Sequence, residues 1–209
     1  MKAPALPDFL YLASQSTRRA QLLTQIGVRH EPLLPDRGED AEALEAVQPG
    51  EAPEAYVQRV TLAKLDAARA RLIARGLSPA PILCADTTVA LAERIFGKPE
   101  DDEDAAHMLQ ALSGRTHRVL TAVAVLEGPH AAFEPMTALQ VSTVKFVELA
   151  PDEIVRYVAS GEPQGKAGAY GIQSQAAAWV ERIEGSHSGI MGLPLYETAQ
   201  LLRALGWQF

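Results

Sequence analysis

The sequence predicts an α/β fold in which flanking helices cover a mixed, twisted sheet. Apolar strand patterns alternate with helical patterns along the chain, which is typical of α/β proteins. Two strand patterns follow one another in the middle of the chain, which favours some antiparallel pairing. The 209 residues are 47% hydrophobic and 22% charged, a composition that excludes disordered and collagen-like chains. We expect a single domain over residues 1–209 that needs no disulfide or metal to fold.

In the first half of the chain, an apolar and aromatic run at 9–13 predicts a buried strand. A hydroxyl-rich stretch at 14–17 leads into a helix at 18–26, which ends before Gly27. The other elements predicted here are a strand at 28–34, a loop at 35–53, a helix at 54–75, and a buried strand at 82–91 that the polar residues 86–88 interrupt.

The second half of the chain is predicted to contain three more strands and three more helices. Glycine, proline and other small residues separate these elements. They are a turn at 97–99, helices at 101–112, 151–159 and 194–205, a loop at 113–117, and strands at 119–126, 137–149 and 178–183. Three small-residue breaks are predicted in the segment 166–173.

Charge and cysteine content limit the partners and the compartment. The chain has 19 lysines and arginines against 26 acidic residues, a formal net charge of −7. That charge disfavours a nucleic-acid polymer or an anionic membrane as a partner, but it allows a local cationic pocket. The lone cysteine, Cys84, lies in an apolar run and is predicted to be a core residue in a reducing cytosol. No apolar run approaches the ~20 residues of a membrane span, and prolines interrupt the N-terminal segment, so we predict neither a membrane span nor a signal peptide.

Residues 14–19, Ser-Gln-Ser-Thr-Arg-Arg, form the first candidate site. The start of a helix presents free backbone N–H groups, hydroxyls add donors, and guanidinium groups bind phosphate oxygens. On sequence alone, the hydroxyls could equally cap the helix while the arginines are solvated. The chain has neither G-x-x-x-x-G-K-[ST] nor G-x-G-x-x-G, which disfavours P-loop and Rossmann folds.

Asp86, after an apolar run and before two threonines, is the second candidate. A carboxylate there is costly to bury unless it meets a metal or a hydrogen-bond network. It could ligate a divalent metal or accept a proton from water, and a turn-capping role is the alternative. Glu39, in the acidic loop, is considered as a second metal ligand, although nothing local distinguishes it. Its acidic neighbours are predicted to be solvated: Asp40, Glu42 and Glu45.

Lysine is scarce, and three lysines have unusual settings. Lys64 lies on an otherwise apolar helix face, Lys98 in a Gly-Lys-Pro turn, and Lys166 at the start of the small-residue segment. Compact ammonium groups suit phosphate neutralisation, and a solvated surface position is the alternative for each. The five histidines show no metal-ligand spacing and are predicted to be non-catalytic. Phosphate donors, a strand-end carboxylate and dispersed cations together indicate hydrolysis or transfer at a phosphoryl group with Mg²⁺ or a similar ion.

Six short motifs follow one another between about residues 10 and 205. They are Leu-Ala-Ser-Gln-Ser-Thr-Arg-Arg at 12–19, Ala-Asp-Thr at 85–87, Gly-Lys-Pro at 97–99, Ser-Gly-Arg-Thr-His at 113–117, Lys-Ala-Gly-Ala-Tyr-Gly-Ile-Gln at 166–173 and Gly-Leu-Pro-Leu at 192–195. This ordered set resembles the Maf-like nucleotide pyrophosphatase family, whose opening motif is similar to 12–19 but has proline where Thr17 stands. The resemblance implies two lobes around a nucleotide-binding cleft, a Maf/ITPase-like architecture.

The resemblance further implies hydrolysis of nucleoside triphosphates to the monophosphate and pyrophosphate, a house-cleaning reaction. It implies a divalent metal cation, Mg²⁺ or Mn²⁺, a cytoplasmic location and often a homodimer. A non-catalytic nucleotide sensor that regulates septum formation and cell division is the alternative, which predicts nucleotide binding without turnover.

The resemblance also implies roles for individual residues. Asp86 matches the family's catalytic proton acceptor, and Glu39 matches an acidic position associated with metal and catalysis. Four residues match positions that hold the triphosphate: Ser14, Arg19, Lys64 and Lys98.

Three positions differ between branches of the family, and here they are Arg18, Thr87 and Gln173, the pattern of the dTTP/UTP branch. The branch for 7-methylguanine nucleotides resembles Trp, Gln and Glu at these positions. The amide of Gln173 offers one acceptor and one donor, which match the N3–H and a carbonyl of uracil or thymine. The chemistry of this side chain therefore agrees with a pyrimidine substrate.

Overall fold

A seven-stranded mixed sheet runs through the computed structural model, which describes residues 9–36, 38–39, 43–130 and 134–209. The strands are β1 Leu10–Leu12, β2 His30–Pro32, β3 Ile82–Leu91, β4 Arg94–Phe96, β5 Thr116–Leu126, β6 Met136–Phe146 and β7 Val180–Glu184. Their order is β2-β1-β3-β5-β6-β7, and β4 pairs with β3. β1 is parallel to β2 and β3, whereas the other pairs are antiparallel. The predicted mixed α/β fold is confirmed.

Six α-helices of the described chain flank this sheet. They are α1 Thr17–Gln25, α2 Pro53–Ala74, α3 Asp102–Leu112, α4 Pro151–Ala159, α5 His187–Met191 and α6 Leu195–Ala204. Short 3-10 turns lie at Ala43–Glu45, Ala167–Ala169 and Gln175–Trp179. The described residues include no helix long and apolar enough to cross a membrane.

The two faces of β3 pack against different helices, because alternate residues of a strand point to opposite sides. Ile82 and Cys84 contact the apolar face of α2, whereas Leu83 and Ala85 pack with α1 and α6. Farther along, Val89 joins a cluster formed by α3, α4 and the chain between 169 and 190. Cys84 is fully buried, so its predicted place in the core is confirmed.

An open stretch along one edge of β3 determines where the polar residues lie. β1 pairs with β3 only at Ile82 and Leu83, and β4 pairs with it from Val89 onward. Between these points β3 pairs only with β5, as far as the described strands go. Asp86 and Thr87 lie in this stretch, next to the loop that begins α1. Polar side chains that would be costly in a closed sheet therefore face a cleft.

The predicted bounds of several strands and one loop need correction. The strand predicted at 28–34 is limited to His30–Pro32, and the strand predicted at 137–149 is Met136–Phe146. The predicted interruption of β3 at 86–88 is wrong, because an unbroken ladder with β5 runs from Ile82 to Ala90. The predicted loop at 113–117 is too long, since Thr116 and His117 already pair with β6. The strand predicted at 178–183 begins only at 180.

Two short elements were not predicted. They are β4, which follows a turn where Ala92 has φ 52°, and the five-residue helix α5, which Ser186 caps.

Candidate active site

The open edge of β3 faces a cleft of about 1060 Å³. Its walls come from the start of α1, the loop before α2, α2 itself, the turn after β4 and the segment after α4. Every site residue suggested by the sequence and its resemblance lines it: Ser14, Arg18, Arg19, Glu39, Lys64, Asp86, Thr87, Lys98 and Gln173. The fold thus brings nine residues from six separate parts of the chain together, while their chemical roles stay predictions.

Arg19 is held rigidly at the start of α1. Ser16 caps this helix, since its Oγ accepts a hydrogen bond from the Arg19 backbone N–H at 3.4 Å. The Arg19 guanidinium donates to Ser14 Oγ at 3.0 Å, to the Gly192 carbonyl at 2.8 Å and to Thr87 Oγ1 at 3.3 Å. A guanidinium held on three sides has little rotamer freedom left to lose when it binds an anion.

Thr87 connects the Arg19 contact to the interior of the sheet. Its Oγ1 lies 2.9 Å from Oγ1 of Thr121, the residue opposite on β5, and Thr121 donates to the Gly189 carbonyl of α5 at 2.8 Å. This polar pair separates two apolar clusters on one face of the sheet, one around Ala85 and the other around Val89. Thr87, which the resemblance links to substrate choice, is therefore a structural link between both sides of the cleft.

On the other face of β3, an ammonium group joins two carboxylates. Lys64 Nζ lies 2.6 Å from Asp86 Oδ1 and 2.7 Å from Glu45 Oε1, and Lys98 Nζ lies 2.9 Å from the same Glu45 oxygen. The Asp86 side chain is 10% exposed and that of Lys64 is 19% exposed. Burial lowers the pKa of Lys64, but Asp86 and Glu45 raise it more, so the net direction is upward. The cluster carries two positive and two negative charges, so it is balanced.

Glu45 is the acidic residue that the sequence reasoning missed. Its prediction as a solvated residue is wrong, because its carboxylate contacts both Lys64 and Lys98. Burial raises the pKa of Glu45, whereas the two ammonium groups lower it and prevail. No local pattern in the sequence distinguishes it from other acids of the loop. It reaches the lysines because the loop lies against α2, where the Glu45 carbonyl accepts from Tyr56 Oη at 2.9 Å. Its neighbours at 40 and 42 lie outside the described residues.

Glu39 lies at the cleft wall but has other partners. Its carboxylate accepts from the Arg71 Nε at 2.9 Å and from the backbone N–H of Asp36 at 3.1 Å. These hydrogen bonds lower the pKa of Glu39 to about 2. Arg71 also donates to the Leu33 carbonyl at 2.9 Å, so this ion pair fastens the loop after β2 to α2. The suggested role of Glu39 as a metal ligand stays a prediction.

Asp86 and Glu45 are the oxygen donors that fit a divalent cation in this cleft. Both already bind one cation, the ammonium of Lys64, which shows that their oxygens converge. Within the described chain, no group of three or more His, Cys, Asp or Glu side chains could hold a metal ion. Since Mg²⁺ prefers six oxygen ligands, such an ion would need phosphate or water oxygens besides these two carboxylates.

Arg18 and Gln173 also line the cleft, and neither belongs to the carboxylate–ammonium cluster. Burial, and to a smaller extent Arg19, lowers the pKa of Arg18. Gln173 lies exposed at the end of the 166–173 segment. Lys166 lines the cleft as well, but its ammonium donates to the Glu162 carbonyl rather than joining the other lysines.

Comparison with known proteins covers nearly the whole chain. A sequence profile described as Maf-like protein matches residues 9–205. The dTTP/UTP pyrophosphatase of Albidiferax ferrireducens is 59% identical over 203 residues, 97% of this chain and 100% of that protein. The protein of the same name from Cupriavidus metallidurans is 61% identical over 204 residues, 98% of this chain and 100% of its own. The solved structure of a HAM1 protein from Coxiella burnetii has 17% identity and a TM-score of 0.49, and covers 93% of this chain and 98% of its own. The profile match includes all six motifs.

Proposed function

Because the chain belongs to the Maf-like protein family, we propose that it hydrolyses dTTP and UTP to the monophosphate and pyrophosphate. One observation carries the proposal: a rigid guanidinium at a helix start and a carboxylate–ammonium cluster line the same cleft. The first group suits phosphate oxygens, and the second suits activation of water. The names of the relatives favour catalysis over the non-catalytic sensor.

The triphosphate binds at the start of α1. Arg19 and Ser14 meet its oxygens together with backbone N–H groups of the helix start, whose partial positive charge favours anions. Lys98, whose side chain is 42% exposed, swings from Glu45 toward the phosphates. This arrangement concentrates cations on the side that becomes pyrophosphate, where negative charge builds up as the bond breaks.

Asp86 accepts the proton of the attacking water. Its carboxylate lies on a stiff, paired strand, and that fixed position is what a general base requires. Water attacks the α-phosphorus, its proton passes to Asp86, and the bond to the leaving pyrophosphate breaks. Lys64 exchanges one of its carboxylate partners for a phosphate oxygen, and a divalent cation would compensate the carboxylate that Lys64 releases.

Asp86 and Glu45 would hold the divalent cation, for which we propose Mg²⁺ or Mn²⁺. When bound, such an ion would neutralise negative charge on the phosphate oxygens. We also propose a cytoplasmic location and a homodimer; sedimentation of the purified protein tests the latter.

Selection of the base rests on Gln173. Its amide donates to a pyrimidine carbonyl and accepts from N3–H, which both uracil and thymine offer. Gln173→Glu leaves two acceptors and removes the donor, so we expect kcat/KM for dTTP and UTP to fall about tenfold or more. Steady-state kinetics with both nucleotides measure this, and unchanged values would contradict a base-reading role.

The decisive experiment measures pyrophosphate release from dTTP by Asp86→Asn. We expect kcat to fall at least ~100-fold, because general-base catalysis contributes about that much or more. The matched control is Asp152→Asn, in an exposed pair with Arg156 on α4, which should keep the parent rate. A parent rate for Asp86→Asn would overturn the mechanism, and absence of pyrophosphate release by the parent would overturn the function.

A second comparison separates the two glutamates. Glu45→Gln should lose most activity, because Glu45 shares Lys64 with Asp86, whereas Glu39→Gln should keep most of it, because Glu39 binds Arg71. Titration with Mn²⁺ in the same assay should give a higher half-saturating concentration for Glu45→Gln. The reverse ranking would return the metal role to Glu39.

A further inference from the structure

A buried pair, His117 and Tyr170, connects β5 to the 166–173 segment, which lines the cleft. Both residues belong to motifs found in the sequence, and neither has a part in the proposed reaction. The His117 Nε2 lies 2.8 Å from the Tyr170 hydroxyl, and the residues are 1% and 6% exposed. The other ring nitrogen, Nδ1, makes no hydrogen bond of good geometry in the described part of the protein, and the Arg115 backbone lies close enough to raise the pKa of His117 against the larger effect of burial. The Tyr170 hydroxyl is the side-chain partner of this imidazole.

Aromatic packing fixes the two rings. His117 and Tyr170 meet edge-to-face with centroids 5.5 Å apart, and Phe146 packs against both at 4.9 and 4.8 Å. Burial lowers the pKa of His117 to about 4 and raises the pKa of Tyr170, so both groups are neutral near pH 7. The contact is therefore a hydrogen bond between neutral groups in a buried, closely packed site.

The chain beside Tyr170 has an unusual backbone. Gly168 and Ala169 have φ values of 68° and 60°, and the second is costly for a residue with a Cβ atom. Such a conformation persists when its surroundings fix it. Here the Gly168 N–H donates to the Gly97 carbonyl at 3.0 Å, and the Gly171 N–H donates to the Tyr157 hydroxyl at 3.3 Å.

Tyr170 lies between those two attachments and three residues before Gln173. Tyr170 is one of the residues that line the cleft, and its hydroxyl reaches His117 on β5. The Tyr170–His117 hydrogen bond therefore ties the segment that carries Gln173 to a central strand of the sheet.

We propose that His117 is a positioning residue for pyrimidine selection, which acts through Tyr170 to hold the 168–173 segment where Gln173 meets the base. The proposal rests on the proposed function and adds a residue that touches no substrate. It predicts that loss of the Tyr170 hydroxyl weakens discrimination between bases, because the hydroxyl makes the hydrogen bond to His117. The apolar contacts of the ring stay, so the effect can be assigned to that hydrogen bond.

The test is Tyr170→Phe, assayed with dTTP, UTP and dCTP. We expect KM for dTTP and UTP to rise about tenfold, the size expected for one lost buried hydrogen bond, with kcat changed less than about twofold. The preference for dTTP over dCTP should fall by a similar factor. The double variant His117→Phe/Tyr170→Phe should be no less selective than Tyr170→Phe, because the two groups act as a unit.

Leu72→Ala is the control for a purely structural role. Leu72 is fully buried against β3 on the α2 side, so this variant loses stability without contacting the 168–173 segment. It should unfold at a lower temperature and keep the parent preference for dTTP. If Tyr170→Phe behaved like Leu72→Ala, with a lower unfolding temperature and an unchanged preference for dTTP, the positioning role would be refuted. An equal loss of activity on all three nucleotides would refute it as well. A parent enzyme inactive on dTTP and UTP would instead refute the proposed function.

Discussion

Replacement of Lys64 tests the charge balance of the cleft directly. Lys64→Gln keeps the two methylene groups nearest the backbone but removes the ammonium group that Asp86 and Glu45 share. Removal of one partner from a buried ion pair costs about 3–5 kcal/mol. Glu45 keeps Lys98, and both carboxylates are partly exposed, so we expect about 2–3 kcal/mol. For a chain of this length, that loss lowers Tm by about 5–10 °C.

The same variant should respond to divalent cations without nucleotide. Since Lys64 no longer competes for the two carboxylates, Mn²⁺ should bind the free variant more tightly than the parent. A ligand at 100 times its Kd stabilises the folded state by about 2.7 kcal/mol, which is enough to restore most of the lost Tm. Differential scanning calorimetry with and without Mn²⁺ measures both effects.

Lys145→Gln is the matched control. Lys145 donates to the Gly114 carbonyl and lies outside the cleft. The Tm of this variant should therefore not fall by several degrees, and Mn²⁺ should not raise it. The reasoning fails if Lys64→Gln unfolds within 1 °C of the parent, or if Mn²⁺ shifts the parent and the variant equally.

Two further predictions concern the backbone and the loop before α2. Gly168→Ala should lower the free energy of unfolding in urea by about 1–3 kcal/mol more than Gly27→Ala does. Both glycines have positive φ, but only at 168 would the new Cβ lie 2.8 Å from another side-chain atom, Val89 Cγ2. Equal losses in the two variants would contradict this. The hydrogen bonds from Arg71 lower the pKa of Glu39 from 4.5 to about 2, so its stabilisation is present above pH 4.5 and is lost as pH falls toward 2. Glu39→Gln should be about 1 kcal/mol less stable at pH 7, with a difference that vanishes near pH 2; a difference independent of pH would contradict this.

Elements with strong local signals could be predicted from the sequence. Helix α4 lies at the predicted 151–159, because Pro151 suits a first helical position and Gly161 follows the end. The span of β3 was also predicted correctly at 82–91, but its continuity across Asp86 depends on pairing with a strand more than thirty residues away. Local polarity predicts a break there, and a distant ladder overrides it.

The elements that the sequence did not reveal lack local signals. The turn before β4 uses Ala92 at positive φ, where a turn signature would have glycine or asparagine. Helix α5 is shorter than any reliable period of apolar residues. Glu45 looks like every other acid in its loop, and only the path of that loop over α2 brings it to Lys64.

The continuous pairing of β3 with β5 has a mechanical consequence. Nine consecutive residue pairs, from Ile82 to Ala90, run beneath the cleft and into the apolar clusters on both of its sides. Rotation of one side of the cleft against the other would have to shear this ladder, so the paired strands β3 and β5 resist hinge bending. We therefore expect accommodation of a nucleotide to proceed through side-chain rotations, on the picosecond-to-nanosecond scale, rather than through slow closure of two hinged halves.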